Sequence, residues 1–567
     1  MIVKMKHLDL VCVAQDTEKT LEALRSLGAV HLDLASAKGA ETQARKNDAA
    51  MAERAVRAIF KARKSLEYGE SLQKLPCDTQ GVLALEARLD DRLAQTDALE
   101  KEIRKYEAYG DFDPDLARSL RENGVNLVLK DDGTYSISYG EDAASAGEIE
   151  LPRESLSTMR AELDAAQNDA LSIRSKLAAS DEASILSQYP ELADRIAFAA
   201  AKELIEKAGE VAVISGWIPV PKIAALKENT AKNGWGVLLR DAAADETPPT
   251  LIEPPKLFRP VKALFDGLGI APAYTEADVS VPFMCYFSLF FAMLVGDGAY
   301  GLIFLAATLF GWRKYRASAS RSPVAKSWLV LLTVFSLATV AWGVLSNTWF
   351  GANIPACAEW PSVKWLADPS YKNMMLLCFT IGASHLVLAR LWNAVCKLPD
   401  TTAIAELGWA GVLVMMYLVT NAIVGIFPGV PQWGIWMGGI SVAFVFLFSV
   451  KPSELKTRGA ELGMLPLNIM SALGDIISYV RLFAVGLASV KVAENFNQMA
   501  VGMDLPLWLK IVPMVAILVV GHGLNLAMAA LSILVHAVRL NTLEFSNHKG
   551  VSWAGYSYRP FARTARI

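Results

Sequence analysis

Cysteine, histidine and charge are all scarce in this sequence, and each shortage removes a class of protein. The six cysteines, Cys12, Cys77, Cys285, Cys357, Cys378 and Cys396, form no CxxC pair, and four of them fall in the apolar second half. They read as small buried hydrophobes, neither a disulfide frame nor a zinc site. The six histidines are scattered, with no HExxH and no paired His/Cys spacing, so no metal is expected. No GxxxxGKS/T run occurs, so neither ATP chemistry nor a bound cofactor is expected of this chain. Charged residues make up 20% of the 567 positions, below the ~25% of soluble globular proteins. With a mean hydropathy of +0.30, a single soluble domain is excluded.

What charge there is lies unevenly. Residues 1–250 hold 32 Lys+Arg against 43 Asp+Glu, and residues 251–567 hold 23 against 15. One half is water-soluble and acidic, the other membrane-like and basic, and the small overall net charge hides the division. A nucleic-acid partner does not fit this balance. The opening Met1 to Val13 carries Lys4, Lys6, His7 and Asp9, so it lacks the apolar core of a signal peptide. The soluble half is expected to be cytoplasmic.

In that half, residues 2–34 read as strand, helix (Thr17 to Leu27) and a second extended stretch (Ala29 to Leu34). A similar unit closes it, with strands at Val211 to Trp217 and Gly234 to Leu239 around a helix at Val220 to Lys232. Between them lie two heptad-spaced seams. One is Val82, Leu85, Leu89, Arg92, Thr96, Leu99, Ile103, Tyr106; the other is Leu156, Met159, Leu163, Ala166, Ala170, Ile173, Leu177. Strand signals at Val125 to Leu129 and Tyr135 to Tyr139 flank Asp131-Asp132-Gly133, a hairpin turn. The expected organisation of residues 1–255 is therefore α+β. A proximal lobe (1–40 and 208–245) and a distal lobe (111–152) are joined by an antiparallel coiled-coil arm (41–110 and 153–207), with an ordinary helical bundle as the alternative. Five prolines between 248 and 260 read as a stiff linker to a transmembrane domain at 256–567.

Apolar stretches run over 281–312, 327–350, 373–395, 404–427, 433–450, 465–500 and 507–543, and about 20 apolar residues suffice to span a bilayer. Seven crossings conflict with the positive-inside rule, because Arg313, Lys314, Arg316, Arg321 and Lys326 follow the first stretch and belong on the cytoplasmic side with the soluble half. The conflict disappears if 281–312 is a hairpin broken at Gly296-Asp297-Gly298, which gives about eight segments. Arg390, Lys397, Lys451, Lys456, Arg458, Lys549, Arg559, Arg563 and Arg566 then also lie on the cytoplasmic side, as do both termini.

The last two stretches are about 55 Å long as helices at ~1.5 Å per residue, against a ~30 Å hydrocarbon core, so strong tilt or projection is expected. Each carries an arginine, Arg481 and Arg539, which a lipid-facing helix does not tolerate without water or a carboxylate. Helical spacing places Gly474, Ser478 and Ala488 beside Arg481, and Asn525, Ser532 and His536 in one stripe with Arg539. Glu494 points to the opposite side of its helix from Arg481. Glu544 follows Arg539 by five residues. The plainer readings are a structural salt bridge or snorkelling for the arginines, and interhelical glue for Asn525 and His522.

At these residues the chain resembles the large membrane subunit of V-type and archaeal-type rotary ATPases, called subunit a in eukaryotes and subunit I in prokaryotes. The likeness runs through IVKMKHLDLV, LGAVHLDL, SGWIPVPKIAALK, PPKLFRPVKALFDGLGIAPAYTEADVSVPF, GDGAYG, AIAELGW, SYVRLFAVGLA and VHAVRLNTLEF, in that order. The prokaryotic form fits the length and the compact loops. The resemblance implies that Arg481 faces a rotating proteolipid ring, that Arg539 is its partner, and that Asp297 is the family's hairpin aspartate. Two positions depart from the eukaryotic pattern: Ser489 stands for a histidine and Ala529 for a glutamate. Ser478, Ser489, Glu494, Asn525, Ser532, His536 and Glu544, with Asp297, are therefore the candidates for lining or supporting the half-channels.

The resemblance further implies a non-hydrolysing stator subunit in the cell membrane of a prokaryote. Its partners would be the proteolipid ring (c/K subunits), peripheral-stalk subunits of E/G type, a central-stalk subunit of d/C type, and membrane lipid. H⁺ and Na⁺ both fit, as do pump and synthase. The competing classes are a secondary ion transporter, for which no inverted pair of segments is seen around the two arginines, and a membrane scaffold with a cytoplasmic coiled coil.

Overall fold

The computed structural model describes residues 2–66, 74–107, 111, 113–123, 125–130, 135–139, 148–149, 154–243, 245–317, 322–357, 359–366, 368–450, 462–503 and 506–563. The turn Asp131-Asp132-Gly133 and the charges Arg321, Lys451, Lys456, Arg458 and Arg566 lie outside them. The chain is mostly helical and divides into two compact units. One comprises Met1–Leu8, Trp217–Ala225 and Leu239–Pro560; the other comprises Asp9–Gly216, Leu226–Leu238 and Phe561–Ile567.

The N-terminal elements are β1 (Met5–Val13), α1 (Thr17–Leu27), α2 (Ala40–Ser65), α3 (Thr79–Tyr106), α4 (Pro114–Glu122), β2 (Val125–Lys130), β3 (Tyr135–Tyr139), β4 (Glu148–Ile149), α5 (Leu156–Ala179), α6 (Glu182–Leu186), α7 (Tyr189–Glu203), β5 (Glu206–Ala208), β6 (Val211–Pro219), α8 (Ile223–Asn233) and β7 (Gly236–Asp241). A four-stranded sheet has the order β5-β6-β1-β7, so strands from the two ends of the segment share one sheet. The expected strand at Ala29 to Leu34 is not formed. Only His31 makes a bridge there, as this stretch runs against Gly216 of β6, where a Cβ would lie 2.6 Å from the His31 carbonyl. The expected hairpin is present, β2 pairing antiparallel with β3 from Val125 opposite Tyr139 to Leu129 opposite Tyr135.

Capping starts both seam-bearing helices. Asp78 accepts from the Gly81 amide at 3.2 Å, and Ser155 accepts from the Thr158 amide at 3.2 Å. Ile103 and Tyr106 at the end of α3 cluster with Leu156 and Met159 at the start of α5, so the two helices run antiparallel. At the other end Val82 and Leu177 join Ala52, Ala55, Val56 and Ile59 of α2, which makes three helices there where the seams alone suggested two. The polar seam residues are accommodated by Arg92 pairing with Asp169 at 3.5 Å and by the Thr96 hydroxyl donating to the Arg92 carbonyl at 2.8 Å.

Arg63 fastens this bundle end. Its guanidinium donates to the carbonyls of Ala178 (2.8 Å) and Ser180 (2.7 Å) and to Glu182 (2.7 Å). The Arg63 hydrogen bond holds the Glu182 carboxyl at about 2, well below its ordinary 4.5. A depressed carboxylate stabilises the fold above its unfolded value and loses that contribution as pH falls towards its folded one. Hydrogen exchange at α6 is therefore expected to stay slow at pH 5 and to accelerate between about pH 4.5 and 2, and Arg63→Ala, costing about 1.5–3 kcal/mol, should make it fast throughout. Exchange unchanged across that window would refute the latch.

The apolar elements are α9 (Val261–Leu268), α10 (Ser280–Val295), α11 (Gly298–Ala317), α12 (Pro323–Ser346), α13 (Pro361–Leu366), α14 (Lys372–Lys397), α15 (Thr402–Ile423), α16 (Gln432–Phe448), α17 (Leu465–Ile477), α18 (Val480–Val501) and α19 (Leu507–Ser532). Among the described residues five helices are long and apolar enough to cross a membrane, or six if the bent pair α10 and α11 counts as one span; the shorter α16 is also apolar. α10 and α11 meet at 119°. The break falls at the glycines singled out above, with Gly296 in the left-handed region at φ +71°. The two long stretches span Leu465–Val501 (37 residues) and Trp508–Lys549 (42 residues). α10 sits at the centre of the core, its Phe283, Phe287, Phe290 and Met293 packed with Phe335, Phe379, Leu413, Ile476, Leu482 and Ile533 of five other segments. Val512, Val519, Val520, Leu524 and Leu531 of the last long stretch are exposed, as a face towards lipid or an apolar partner requires.

The proline-rich 241–260 stretch is held rather than free. Thr250 accepts from the Tyr558 amide (3.0 Å), donates its own amide to the Tyr556 carbonyl (2.8 Å), and donates its hydroxyl to the Pro272 carbonyl (2.9 Å).

Candidate functional site

Arg481 stands at the second position of α18, immediately past a break at Ser478-Tyr479. Its Nε donates to the Ser478 carbonyl at 2.9 Å and its Nη2 to Glu544 Oε1 at 2.7 Å. The same oxygen lies 3.4 Å from Arg539 Nε. Two arginines from the two longest helical stretches thus converge on one carboxylate. Their exposures differ: Glu544 is 5% exposed, Arg481 22% and Arg539 54%. Glu544 Oε2 is buried without a hydrogen-bond partner among the described residues.

The backbone explains how Glu544 reaches Arg539. Residues Ile533–Ala537 and Leu540–Phe545 are wound as π-helix. In an α-helix, residues five apart point about 140° away from each other. The i to i+5 bonding of a π-turn brings them over one another instead. The same winding disturbs the α-helical stripe expected for Asn525, Ser532, His536 and Arg539. Ser532 is half-buried at the end of α19, His536 lies inside the first π segment with a buried, unpartnered Nδ1, and Asn525 faces another set of residues altogether.

That set is a hydrogen-bonded chain. The Ser489 hydroxyl donates to Asn525 Oδ1 (3.0 Å), and Asn525 Nδ2 donates to the Ser489 carbonyl (2.9 Å) and the Tyr300 hydroxyl (3.1 Å). Tyr300 meets His522 Nδ1 at 2.8 Å, and His522 Nε2 meets Asn497 Oδ1 at 3.2 Å. Asn497 Nδ2 in turn donates to the Phe350 carbonyl. An amide oxygen can only accept, so His522 donates from Nε2 to Asn497, and a neutral ring would then accept the Tyr300 proton at Nδ1. Ser489 and Asn525 were singled out from sequence; Tyr300 and Asn497 were missed, because the chain crosses three elements.

Asp297 is 1% exposed, and its two oxygens accept the Ala299 amide (2.8 Å) and the Gly351 amide (2.8 Å). A buried carboxylate is thereby satisfied by backbone donors, and it ties the α10/α11 break to the loop after α12. Ser478 donates its hydroxyl to the Asp475 carbonyl at 2.6 Å. Glu494 pairs with Lys491 (2.7 Å) and Gln498 (3.3 Å) along its own helix.

A second charged cluster escaped the sequence reading. Glu406, 9% exposed, accepts from Lys397 (2.6 Å) and Arg390 (3.1 Å). Arg390 also donates to His548 Nδ1 (3.1 Å), and His548 Nε2 meets Asp475 Oδ2 (3.0 Å). The available signal was a glutamate inside AIAELGW, within an apolar run. Beside it lies a cavity of about 580 Å³ lined in part by Asn468, Ser471, Asp475 and Asn547. The first three, spaced i, i+3 and i+7, form a polar stripe on otherwise apolar α17.

Fold and site together define a multi-helix membrane protein with ionised side chains gathered inside its apolar region. No profile of a known protein family matches the chain. It is 29% identical over 99% of its length to V-type ATP synthase subunit I 1 of Treponema pallidum, spanning the whole of that protein. It is 32% identical over 62% of its length to V-type ATP synthase subunit I of Borreliella burgdorferi, and 26% over 72% to A-type ATP synthase subunit I of Methanocaldococcus jannaschii, spanning 60% and 64% of those proteins. The chain is thus similar along its whole length to subunit I of a V-type ATP synthase, and these likenesses support a membrane subunit of a rotary ATPase.

Proposed function

We propose that this chain is the stator of its complex, carrying the ion path against a proteolipid ring and anchoring the peripheral stalks. The observation that carries the reading is the convergence of Arg481 and Arg539 on Glu544, beside a long helix with an exposed apolar face. In this reading residues 256–567 cross the cell membrane in eight segments, counting the α10/α11 hairpin as two. Residues 1–255 stay in the cytoplasm, where the α3/α5 pair is a coiled-coil arm between a distal and a proximal lobe. E/G-type stalk subunits and a d/C-type central-stalk subunit dock on that domain.

The chemistry follows from a fixed cation. A ring carboxylate passing Arg481 is favoured in its charged form, so it releases its ion. Two unit charges 4 Å apart interact by ~4 kcal/mol at an effective dielectric of 20, equivalent to about three pKa units. That suffices to switch a carboxylate from loaded to empty. Arg481 also blocks direct passage between two half-channels. The Asn468, Ser471, Asp475 stripe with its cavity supplies the cytoplasmic one, and the chain from Ser489 through Asn525, Tyr300 and His522 to Asn497 lines the other. Ser478, Ser532 and His536 are polar wall residues near the arginines, and Glu494 flanks the second path.

Purification of the tagged chain from its native membrane in mild detergent is expected to bring down a proteolipid ring and soluble ATP-hydrolysing subunits. Recovery of the chain by itself, or ATP hydrolysis by the isolated chain, would sink the reading.

A further inference from the structure

Glu544 has a place in the site that the ring carboxylate alone does not explain. It is nearly fully buried, its Oε1 contacts both arginines, and its Oε2 has no partner among the described residues. A buried carboxylate is costly unless it is paired and hydrogen-bonded, and only a departure from α-helical winding brings it beside Arg539. Guanidinium has five N–H donors in a rigid fork. In Arg481 the Nε–H goes to the Ser478 carbonyl and one Nη2–H to Glu544, and among the described residues the rest of the fork makes no hydrogen bond, at a group still 22% exposed.

We propose that Glu544 is a resident counter-charge that aims Arg481 and limits its hold on each passing ring carboxylate, a positioning residue that rests on the stator reading. With Glu544 in place the Arg481 charge is half-compensated from within the subunit, so a ring carboxylate is drawn in, discharged and let go. Without it the same arginine is a deeper trap. The other titratable and charged groups around this segment are Tyr479 and Asp475 before Arg481, His385 and Arg390 on α14, and Arg539, His536 and His548 on the segment itself. None of them is a second carboxylate in contact with Arg481 among the described residues.

The test is ATP-driven ion uptake by the reconstituted whole complex, assayed across pH, with Glu544→Gln, Glu544→Asp and Arg481→Gln in parallel. Glu544→Gln keeps the shape and removes the charge. It is expected to assemble, to slow uptake about tenfold, and to move the pH profile acid by about one unit, since the bared arginine lowers the ring carboxylate's affinity for its ion. Glu544→Asp keeps the charge and withdraws it by one methylene, so its rate falls while its profile stays within a few tenths of a unit of the parent. If Glu544→Gln assembles with unchanged rate and profile, the proposal is overturned. If it does not assemble, Glu544→Asp decides: a parental rate overturns the proposal, and a reduced rate in an assembled complex supports it. Arg481→Gln separates the two ideas, because uptake surviving that change removes the stator reading itself, whereas its loss alongside a normal Glu544→Gln removes only the role of Glu544.

Discussion

Arg481→Gln is expected to leave the complex assembled and to cut ATP-driven ion uptake into vesicles by at least about a hundredfold. The reasoning is electrostatic. The interaction lost is ~4 kcal/mol at contact with an effective dielectric of 20, and glutamine offers hydrogen bonds without charge. Glu544 retains Arg539 at 3.4 Å, so its buried carboxylate is not wholly stranded, and assembly is expected to survive. Arg481→Lys should rescue poorly, since a point charge lacks the planar fork that serves Ser478 and Glu544 together. Uptake, ATPase activity and a native gel on the same preparation read all three. Uptake persisting at the parental rate would make Arg481 a structural charge and refute the mechanism.

Asp297→Ala is expected to destabilise the membrane domain by about 1–4 kcal/mol, because the buried amide of Ala299 and the part-buried amide of Gly351 lose their acceptor, at a cost of about 1–3 kcal/mol for a buried one and less for the other. The site is tight as well as polar: a Cβ on Gly351 would lie 2.6 Å from the Glu494 amide nitrogen, and one on Gly343 would lie 2.1 Å from Gly298 Cα. Asp297→Asn keeps one oxygen acceptor and should recover part of the loss. The midpoint of unfolding in detergent checks both, and a parental midpoint for Asp297→Ala would show that the carboxylate bears no structural weight.

Much of this architecture could be read from the chain because it is written in local periods. The heptad positions Val82, Ile103, Tyr106, Leu156, Met159 and Leu177 are all buried, and the strands expected at Val125 to Leu129 and Tyr135 to Tyr139 pair with each other. The break at Gly296-Asp297-Gly298 was legible because a charge and two glycines interrupt an apolar run. Arg481 and Arg539 stood out for the same reason. Partnerships across long separations were not legible. Arg390 meets His548 from 158 positions away and Tyr300 meets His522 from 222, and no local pattern joins them. The strand expected at Ala29 to Leu34 failed because a good local pattern met too little edge, ending as a single bridge at His31. Glu544 was noticed as a charge near Arg539, yet its contact with both arginines depends on a winding that propensity does not reveal.

That winding makes the closing segment sensitive to length as well as to chemistry. A π-turn is in effect an α-helix that has taken in an extra residue, and Trp508–Lys549 contains two such stretches. Deleting one residue from the α-helical Leu507–Ser532, with the π-turns kept, would swing everything beyond it by about 100°. Glu544 would turn from Arg481 and His548 from Asp475, although every side chain involved would still be present. Counting residues is thus part of the design here, and helical-wheel arguments drawn across this stretch lose phase where they are most needed.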